Sequence, residues 1–345
     1  MCVPDDKRHL GVLTLFMVAG VGGWGYSRGM KQDGKMVVRT RGVVKRYRDL
    51  VAVDSVDLAI GDGEILGLLG PNGAGKTTMI NGIMGLTGFD AGEVSIFGRT
   101  MTRIDRETRR RIGLVPQDIA VFEDLTAEEN VSYFGRLYGL GGSALADGVR
   151  SALAFTGLSD RGRQKPRSFS GGMKRRLNIA CAVVHRPRLV IMDEPTVGID
   201  PQSRNHILES VRALARDGAT IIYTSHYMEE VEAVCSRVVI MDHGRVIASG
   251  TQSDLKALVA ETETVDVELE RMSPDIVNAV KGVSGVKECA SDGAHLRISV
   301  GRDGVRLGRI IERAVDAGAE VLSAHVERPT LESVFLSLTG RSLRD

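Results

Sequence analysis

Two short runs of residues carry most of the chemistry open to this sequence. The first is Gly70-Pro71-Asn72-Gly73-Ala74-Gly75-Lys76-Thr77-Thr78, which fits the phosphate-loop spacing of Gly, four residues, Gly-Lys, then Ser or Thr. Glycines let backbone N–H groups turn inward and ring a chain of phosphates, and a helix starting near Lys76 adds the positive end of its dipole. The Lys76 ammonium suits the β- and γ-phosphates of a nucleotide, and the Thr77 hydroxyl suits Mg²⁺. A Gly-rich turn that matches by accident is the plainer reading of such a run. The second run is Leu189-Val190-Ile191-Met192-Asp193-Glu194-Pro195-Thr196. Its apolar strand delivers two carboxylates at the C-terminal end, where ligands sit in open parallel sheets. Asp193 suits a contact to the Mg²⁺ and its waters, while Glu194, pointing elsewhere, can polarise an attacking water. Alone, the pair also fits a solvated acidic strand end; behind a phosphate loop, the catalytic reading prevails.

Positioning these groups falls to an alternating α/β pattern that starts at Val37. Strands are expected over Val37–Tyr47, Val56–Ile60 and Glu64–Leu69, the last running into the phosphate loop, then a helix over Lys76–Met84. A hairpin-like piece, Gly92–Gly98, follows. Residues from about Thr102 to Lys165 read mostly helical, with helical spacing clearest over Glu128–Tyr138 and Leu145–Thr156. Helix Gly172–His185 leads into strand Leu189–Met192, and helix Ser203–Asp217 into strand Thr220–Thr224. The pair Arg237–Asp242 and Arg245–Gly250 closes a first domain, placed at 36–255. The rest, 262–345, reads as a separate module with strands Thr264–Glu270, Val286–Ala290, His295–Val300 and Glu320–Glu327. Helices Ser273–Val280 and Val305–Ala317 fall between them, giving the order βαββαβ of a ferredoxin-like fold. A last helix spans Thr330–Leu338.

With those pieces in place the sequence resembles the ABC ATPase family from roughly Val37 to Gly250. Phe169-Ser170-Gly171-Gly172-Met173-Lys174-Arg175-Arg176 is similar to that family's signature loop. The resemblance implies that Ser170, Gly171 and Gly172 face the γ-phosphate held by the other cassette of a head-to-tail dimer. By itself Ser170 is a good helix N-cap. Gln117, in Leu114-Val115-Pro116-Gln117-Asp118, resembles the glutamine loop that senses Mg²⁺ and water, and is otherwise an ordinary loop amide. His226 resembles the switch histidine on the γ-phosphate, though a lone strand-end histidine is more often solvated. Asp200 matches the loop that speaks across the dimer, and otherwise caps the helix after Pro201. Tyr47 sits where the family stacks an aromatic on adenine, or simply packs on its strand. The implied fold is α/β: a P-loop NTPase ABC cassette, mixed sheet core plus helical subdomain, with a small C-terminal α+β ferredoxin-like domain.

Two features narrow the class. Met173 stands where many members have Gln, a variant similar to ATP-binding subunits of drug, antibiotic, lipid and sodium exporters of the daunorubicin-resistance type. The end of the chain, Arg328-Pro329-Thr330-Leu331-Glu332-Ser333-Val334-Phe335-Leu336 then Leu338-Thr339-Gly340-Arg341, resembles the tail of the same subunits. Leu331, Val334, Phe335 and Leu338 fall on one helical face, suited to a membrane subunit or to the helix's own small domain. The segment Val121–Asn130 is the implied receiving surface for the membrane subunit. The resemblance thus implies an ATP- and Mg²⁺-dependent exporter ATPase, peripheral on the cytoplasmic face of the membrane, with a separate transmembrane permease and a second cassette, a homodimer being expected. A non-transport ABC ATPase on ribosomes or DNA is the alternative, and an importer ATPase a third reading.

Composition limits the alternatives. The 345 residues are 43% hydrophobic and 26% charged, ordinary for a globular protein. A net charge of +1 and only 4% aromatics argue against a nucleic-acid partner. Cys2, Cys181, Cys235 and Cys289 form no CxxC pair, which speaks against structural zinc and a disulfide framework. Lys7 and Arg8 precede an apolar run, Leu10–Tyr26, followed by Arg28 and Lys31, in the shape of a signal peptide or short anchor. It is shorter than the roughly 20 residues of a spanning helix and is weakened by Gly20, Gly22, Gly23 and Gly25. Residues 1–35 are therefore read as a dispensable extension, disordered or mis-started, with Met30 or Met36 as the working start and a real anchor as the alternative.

Overall fold

The computed structural model describes residues 36–101, 105–259, 262–301, 307–327 and 329–339. The Leu10–Tyr26 run, and Arg328, Gly340 and Arg341 of the tail, lie outside them. The described chain divides into two compact units, the second beginning at Thr251.

The first unit opens with a long antiparallel pair, β1 (Met36–Tyr47) and β2 (Leu50–Gly61), in which the second strand begins well ahead of Val56. β3 (Ile65–Leu69) is buried along its whole length and delivers the phosphate loop to α1 (Lys76–Ile83). β4 (Ala91–Ile96) and the short β5 (Arg99–Thr100) complete a four-stranded sheet in the order β2-β1-β4-β5. A short helix, α2 (Arg106–Arg109), precedes β6 (Ile112–Val115). Three longer helices follow, α3 (Ala127–Leu137), α4 (Gly142–Phe155) and α5 (Gly171–Val183), and then β7 (Leu189–Asp193). α6 (Pro201–Arg216), β8 (Thr220–Ser225), α7 (Met228–Val234), β9 (Arg237–Asp242) and β10 (Arg245–Thr251) close the unit.

β6 corrects the mostly helical reading of Thr102–Lys165. Its four residues are too few to show a period against the arginines before them. Parallel pairing with β7, from Ile112 beside Leu189 to Val115 beside Met192, makes them a strand. Gly113 permits this, because a Cβ there would stand 2.4 Å from the Ala182 carbonyl oxygen of α5. α7 is likewise absent from the sequence reading.

Six strands in the order β10-β9-β3-β8-β7-β6 form the central sheet, parallel from β9 through β6. One core joins this sheet, α1 and the antiparallel sheet through Val38, Ile60, Leu68, Met79, Ile80, Ile96, Ile191 and Ile222. Each such fully buried side chain contributes roughly 1.5–3 kcal/mol. A second core, with Val131, Phe134, Leu145, Leu153, Leu177 and Ala180, holds α3, α4 and α5 together as a helical layer.

The second unit contains α8 (Gln252–Val259), β11 (Thr262–Leu269), α9 (Pro274–Lys281), β12 (Val286–Asp292), β13 (His295–Gly301), α10 (Leu307–Asp316), β14 (Val321–Glu327) and α11 (Leu331–Thr339). Its strands pair antiparallel in the order β12-β13-β11-β14, so the two central strands are not neighbours in sequence, as the split βαββαβ arrangement requires. Val265, Val267, Leu296, Ile298, Ile276 and Ile310 form its core. α11 packs against α8 of the same unit and buries Leu331, Val334 and Phe335, whereas Leu338, on the same stripe near the end of the helix, is 41% exposed.

Candidate active site

The C-terminal ends of four adjacent parallel strands bring the expected residues together. Register alone sets this: Leu69 lies beside Ser225, Thr224 beside Asp193, and Met192 beside Val115. The residues that follow, Gly70, His226, Glu194 and Gln117, therefore emerge on one edge of the sheet.

The phosphate loop is held tightly from behind. At Gly75, with φ 101°, a Cβ would meet the Ala52 carbonyl oxygen at 2.3 Å, and at Gly70 one would meet that of Met241 at 2.3 Å. Asn72 and Gly73 are exposed at the loop's crest, and Ala74 is buried beneath it. α1 starts directly after Gly75 with no side-chain cap and no acidic residue in its first turn, so its N-terminal dipole faces the loop unopposed. Thr78 lies in the same first turn, half-buried. Lys76 is only 5% exposed, and its Nζ donates to the carbonyl oxygens of Gly70 at 2.7 Å and Pro71 at 3.1 Å. Burial pulls its pKa down, against the opposing pull of Glu194 and Asp193.

Glu194 is the hub. Gln117 Nε2 donates to its Oε2 at 3.3 Å, Lys76 Nζ stands 3.7 Å from its Oε1, and His226 Nδ1 approaches its Oε2 to 3.5 Å. The histidine contact is an approach without hydrogen-bond geometry. Glu194 is 6% exposed and has φ 46°, a left-handed conformation that costs of order 1–3 kcal/mol in a non-glycine residue. Its backbone N–H donates to Thr224 Oγ1 at 2.9 Å, which helps hold that conformation. Thr224 Oγ1 in turn donates to Asp193 Oδ1 at 2.6 Å, and the Thr77 hydroxyl hydrogen-bonds the same carboxylate. Burial pushes the Asp193 pKa up and its hydrogen bonds partly offset this. Asp193, Thr77 and Gln117 present hard oxygen donors, the type Mg²⁺ takes alongside substrate phosphates. Among the described residues no set of three or more His, Cys, Asp or Glu would hold a metal unaided.

Five other expected residues lie elsewhere. Ser170 caps α5 by accepting from Met173 N at 3.3 Å, and Asp200 caps α6 by accepting from Ser203 N at 2.9 Å, which holds its pKa low. These two helix starts abut: a Cβ on Gly172 would meet Ser203 Oγ at 2.1 Å and Asp200 Oδ2 at 3.2 Å. Ser170, Gly171 and Asp200 are exposed. Because capping uses an acceptor lone pair of Ser170 Oγ, its O–H remains free to donate outward. Tyr47 is a third location, 44% exposed at the end of β1, with Lys45 Nζ 5.3 Å from its ring centroid.

Sequence reasoning missed two residues that build the site. Thr224 enters the sequence reading only as the end of strand Thr220–Thr224, although a hydroxyl ending an apolar strand is a signal. Arg175, 3% exposed, donates from Nη1 to the Pro116 carbonyl at 2.7 Å and from Nη2 to that of Gln117 at 2.5 Å. It ties the helix that begins at Ser170 to the glutamine loop. Its signal was a charge at helical spacing from Gly172 and Asn178, on the inward face.

Residues 53–197 match the ABC transporter family. The chain is 40% identical over 311 residues to the linearmycin resistance ATP-binding protein LnrL of Bacillus subtilis (strain 168), covering 90% of this chain and 100% of that protein. This chain belongs to the ABC transporter ATP-binding proteins. The daunorubicin resistance ATP-binding protein DrrA2 of Streptomyces coeruleorubidus is 39% identical, covering 88% of this chain and 95% of that one. The Nod factor export ATP-binding protein I of Sinorhizobium fredii (strain NBRC 101917 / NGR234) is 37% identical, covering 90% and 88%. Among solved structures, a dimeric ATP-binding cassette in a post-hydrolysis state with ADP and Pi superposes with a TM-score of 0.57 at 28% identity, covering 62% of this chain and 98% of that one. The chain is accordingly an ATP-binding, ATP-hydrolysing subunit of the exporter class, and the similarities lend nothing to the ribosome or DNA alternative.

Proposed function

We propose that this cassette drives export by closing on ATP against a second copy of itself, and that a separate membrane subunit carries the cargo. The observation that carries the reading is the convergence of Lys76, Gln117 and His226 on the carboxylate of Glu194, whose backbone is held left-handed. Lys76, freed from its loop carbonyls, neutralises the β- and γ-phosphates; the loop N–H groups from Gly70 to Thr78 cradle them. Tyr47 stacks on the adenine. Thr77, Asp193 and Gln117 hold Mg²⁺, which supplies charge neutralisation at the phosphates when bound. Glu194 orients and polarises the attacking water, and His226 steadies the γ-phosphate. Ser170, Gly171 and Gly172 of the partner cassette complete the site, with Asp200 at the junction.

The receiving surface for the membrane subunit is the segment Val121–Asn130 with the start of α3. Asn130, fully buried, clamps the Phe122 backbone through both its N–H and its carbonyl, and Phe122 packs edge-on to Tyr133 at 4.9 Å. A peripheral place on the cytoplasmic face follows from this role beside a membrane subunit; among the described residues no helix is long and apolar enough to cross a membrane. The cargo class follows the names of the relatives, which handle linearmycin, daunorubicin and Nod factor.

A tagged Glu194→Gln chain, recovered from gently solubilised membranes with Mg·ATP, tests this. A polytopic membrane protein in near-stoichiometric amount is the expected result. Recovery alone, or with ribosomes, would remove the export mechanism and leave the ATPase chemistry standing.

A further inference from the structure

Glu230, on the short helix α7 next to the site, has no part in the chemistry described so far, yet it is the most heavily engaged buried carboxylate of the cassette. It is 2% exposed. Its Oε2 accepts from Thr196 Oγ1 at 2.6 Å, from Tyr223 OH at 2.9 Å and from Ser225 Oγ at 3.1 Å. All three donors are themselves buried. Its Oε1 faces Arg204 Nε of α6 at 3.3 Å, an ion-pair approach outside hydrogen-bond geometry.

These partners are the flanks of the catalytic groups. Thr196 lies two residues after Glu194 and four before Asp200, in a turn closed by Ile199 N donating to Thr196 O at 3.2 Å. Ser225 immediately precedes His226, and its Oγ also accepts from Tyr227 N at 2.9 Å, so the backbone is pinned on both sides of the histidine. The Arg204 guanidinium stands 5.2 Å from the centre of the Tyr227 ring, and that ring stands 4.2 Å from the imidazole of His226. Thr224 restrains Glu194 from its N-terminal side. Glu230 restrains the chain on its C-terminal side and holds the segment of His226 with the same oxygen. The 3.5 Å approach of His226 to Glu194, and the left-handed backbone of Glu194, both depend on segments that Glu230 joins.

We infer that Glu230 is a positioning residue for ATP hydrolysis, its buried carboxylate locking the Glu194-to-Asp200 segment in register with the segment that carries His226. The inference rests on Glu194 and His226 being the hydrolytic pair. Since the same segment ends at the exposed Asp200, Glu230 also links movement at that face to the histidine.

The test is steady-state ATP hydrolysis by the full-length chain carrying Glu230→Gln, Thr196→Val or Ser225→Ala, with melting temperatures taken in parallel. Glu230→Gln is expected to lower kcat by roughly tenfold to a hundredfold with KM for ATP within about threefold, the pattern of a lost transition-state arrangement. Thr196→Val and Ser225→Ala should each lower kcat less, and neither should lower it further in the Glu230→Gln background, because all act through one oxygen. A Glu230→Gln chain that melts lower but turns over at the wild-type rate well below its melting point overturns the inference, as do additive effects. If Glu230→Gln does not fold, the Thr196→Val and Ser225→Ala single and double variants decide by the same criterion. Glu194→Gln run alongside separates the two levels. Its retaining full turnover would remove the hydrolytic reading itself, whereas its loss beside an unaffected Glu230→Gln removes only this inference.

Discussion

Around Glu194, side chains from three strand ends and a helix start meet, with Lys76 and Glu194 buried, His226 half-buried and Gln117 at the surface, while Ser170 and Asp200 stand exposed at two abutting helix starts. The first region answers its own polar groups: Lys76 is held by loop carbonyls, Asp193 by Thr224 and Thr77. In the second, each side chain caps its own helix and leaves the rest of its capacity to the outside. The contrast teaches a division of labour. A site that must hold a charged phosphate chain in low dielectric is assembled by one sheet, whereas the outward face is finished as a helix-start surface that needs another molecule opposite it.

The largest expected effect falls on the inner region. Glu194→Gln should lower turnover by roughly 10²–10⁴-fold while nucleotide binding, read by fluorescent ATP titration, stays intact. Loss of binding in that variant would mean that Glu194 holds the loop together rather than acts on water.

Complementation reads the outer region next. Ser170→Arg and Lys76→Ala chains should each be inactive alone, and mixing them should restore one competent site per pair, up to about a quarter of wild-type activity for random pairing. No recovery on mixing would deny that the two regions meet across a dimer.

Arg175 joins the two regions, so Arg175→Leu should blur them. It removes two charged hydrogen bonds to the carbonyls of Pro116 and Gln117, each worth about 1.5–3 kcal/mol. Lower stability in urea together with a lower kcat is expected; lost stability with unchanged kcat would leave Arg175 a packing residue only.

The smallest effect concerns the far end of α5. His185 stacks on Tyr138 at 3.5 Å, and burial pulls its pKa down to about 3 from 6.5. Below pH 6.5 the unfolded chain takes up a proton that the folded chain refuses, so stability falls as pH drops from 6.5 towards 3. The slope approaches about 1.4 kcal/mol per pH unit from this one group. Urea denaturation between pH 8 and pH 5 should show it, and His185→Gln should flatten it; an unchanged slope would place the acid sensitivity elsewhere.

Much of the site was legible because its chemistry is local in sequence. Gly70 to Thr78 must be contiguous to wrap phosphates, Asp193 and Glu194 must follow one buried strand, and Ser170 opens its own helix. The strands of the second unit were legible too, since their apolar residues alternate. β6 was not, because four residues beside arginines carry no periodic signal. Arg175, Thr224 and Glu230 were not, because each does its work through partners 30 or more residues away or through a burial that only packing creates. Leu338 fits the apolar stripe of α11 by spacing, yet what covers a helix face is settled by its neighbour, here α8.

By itself, then, the sequence determined which groups are available, the phosphate loop, the paired carboxylates and the capped helix starts, since those depend on bond geometry and spacing within a few residues. Tertiary structure alone decided which of them meet. Parallel register places Thr224 beside Asp193 and Val115 beside Met192, and that register is fixed by burial of β3, β7 and β8 on both faces, a property no single segment possesses.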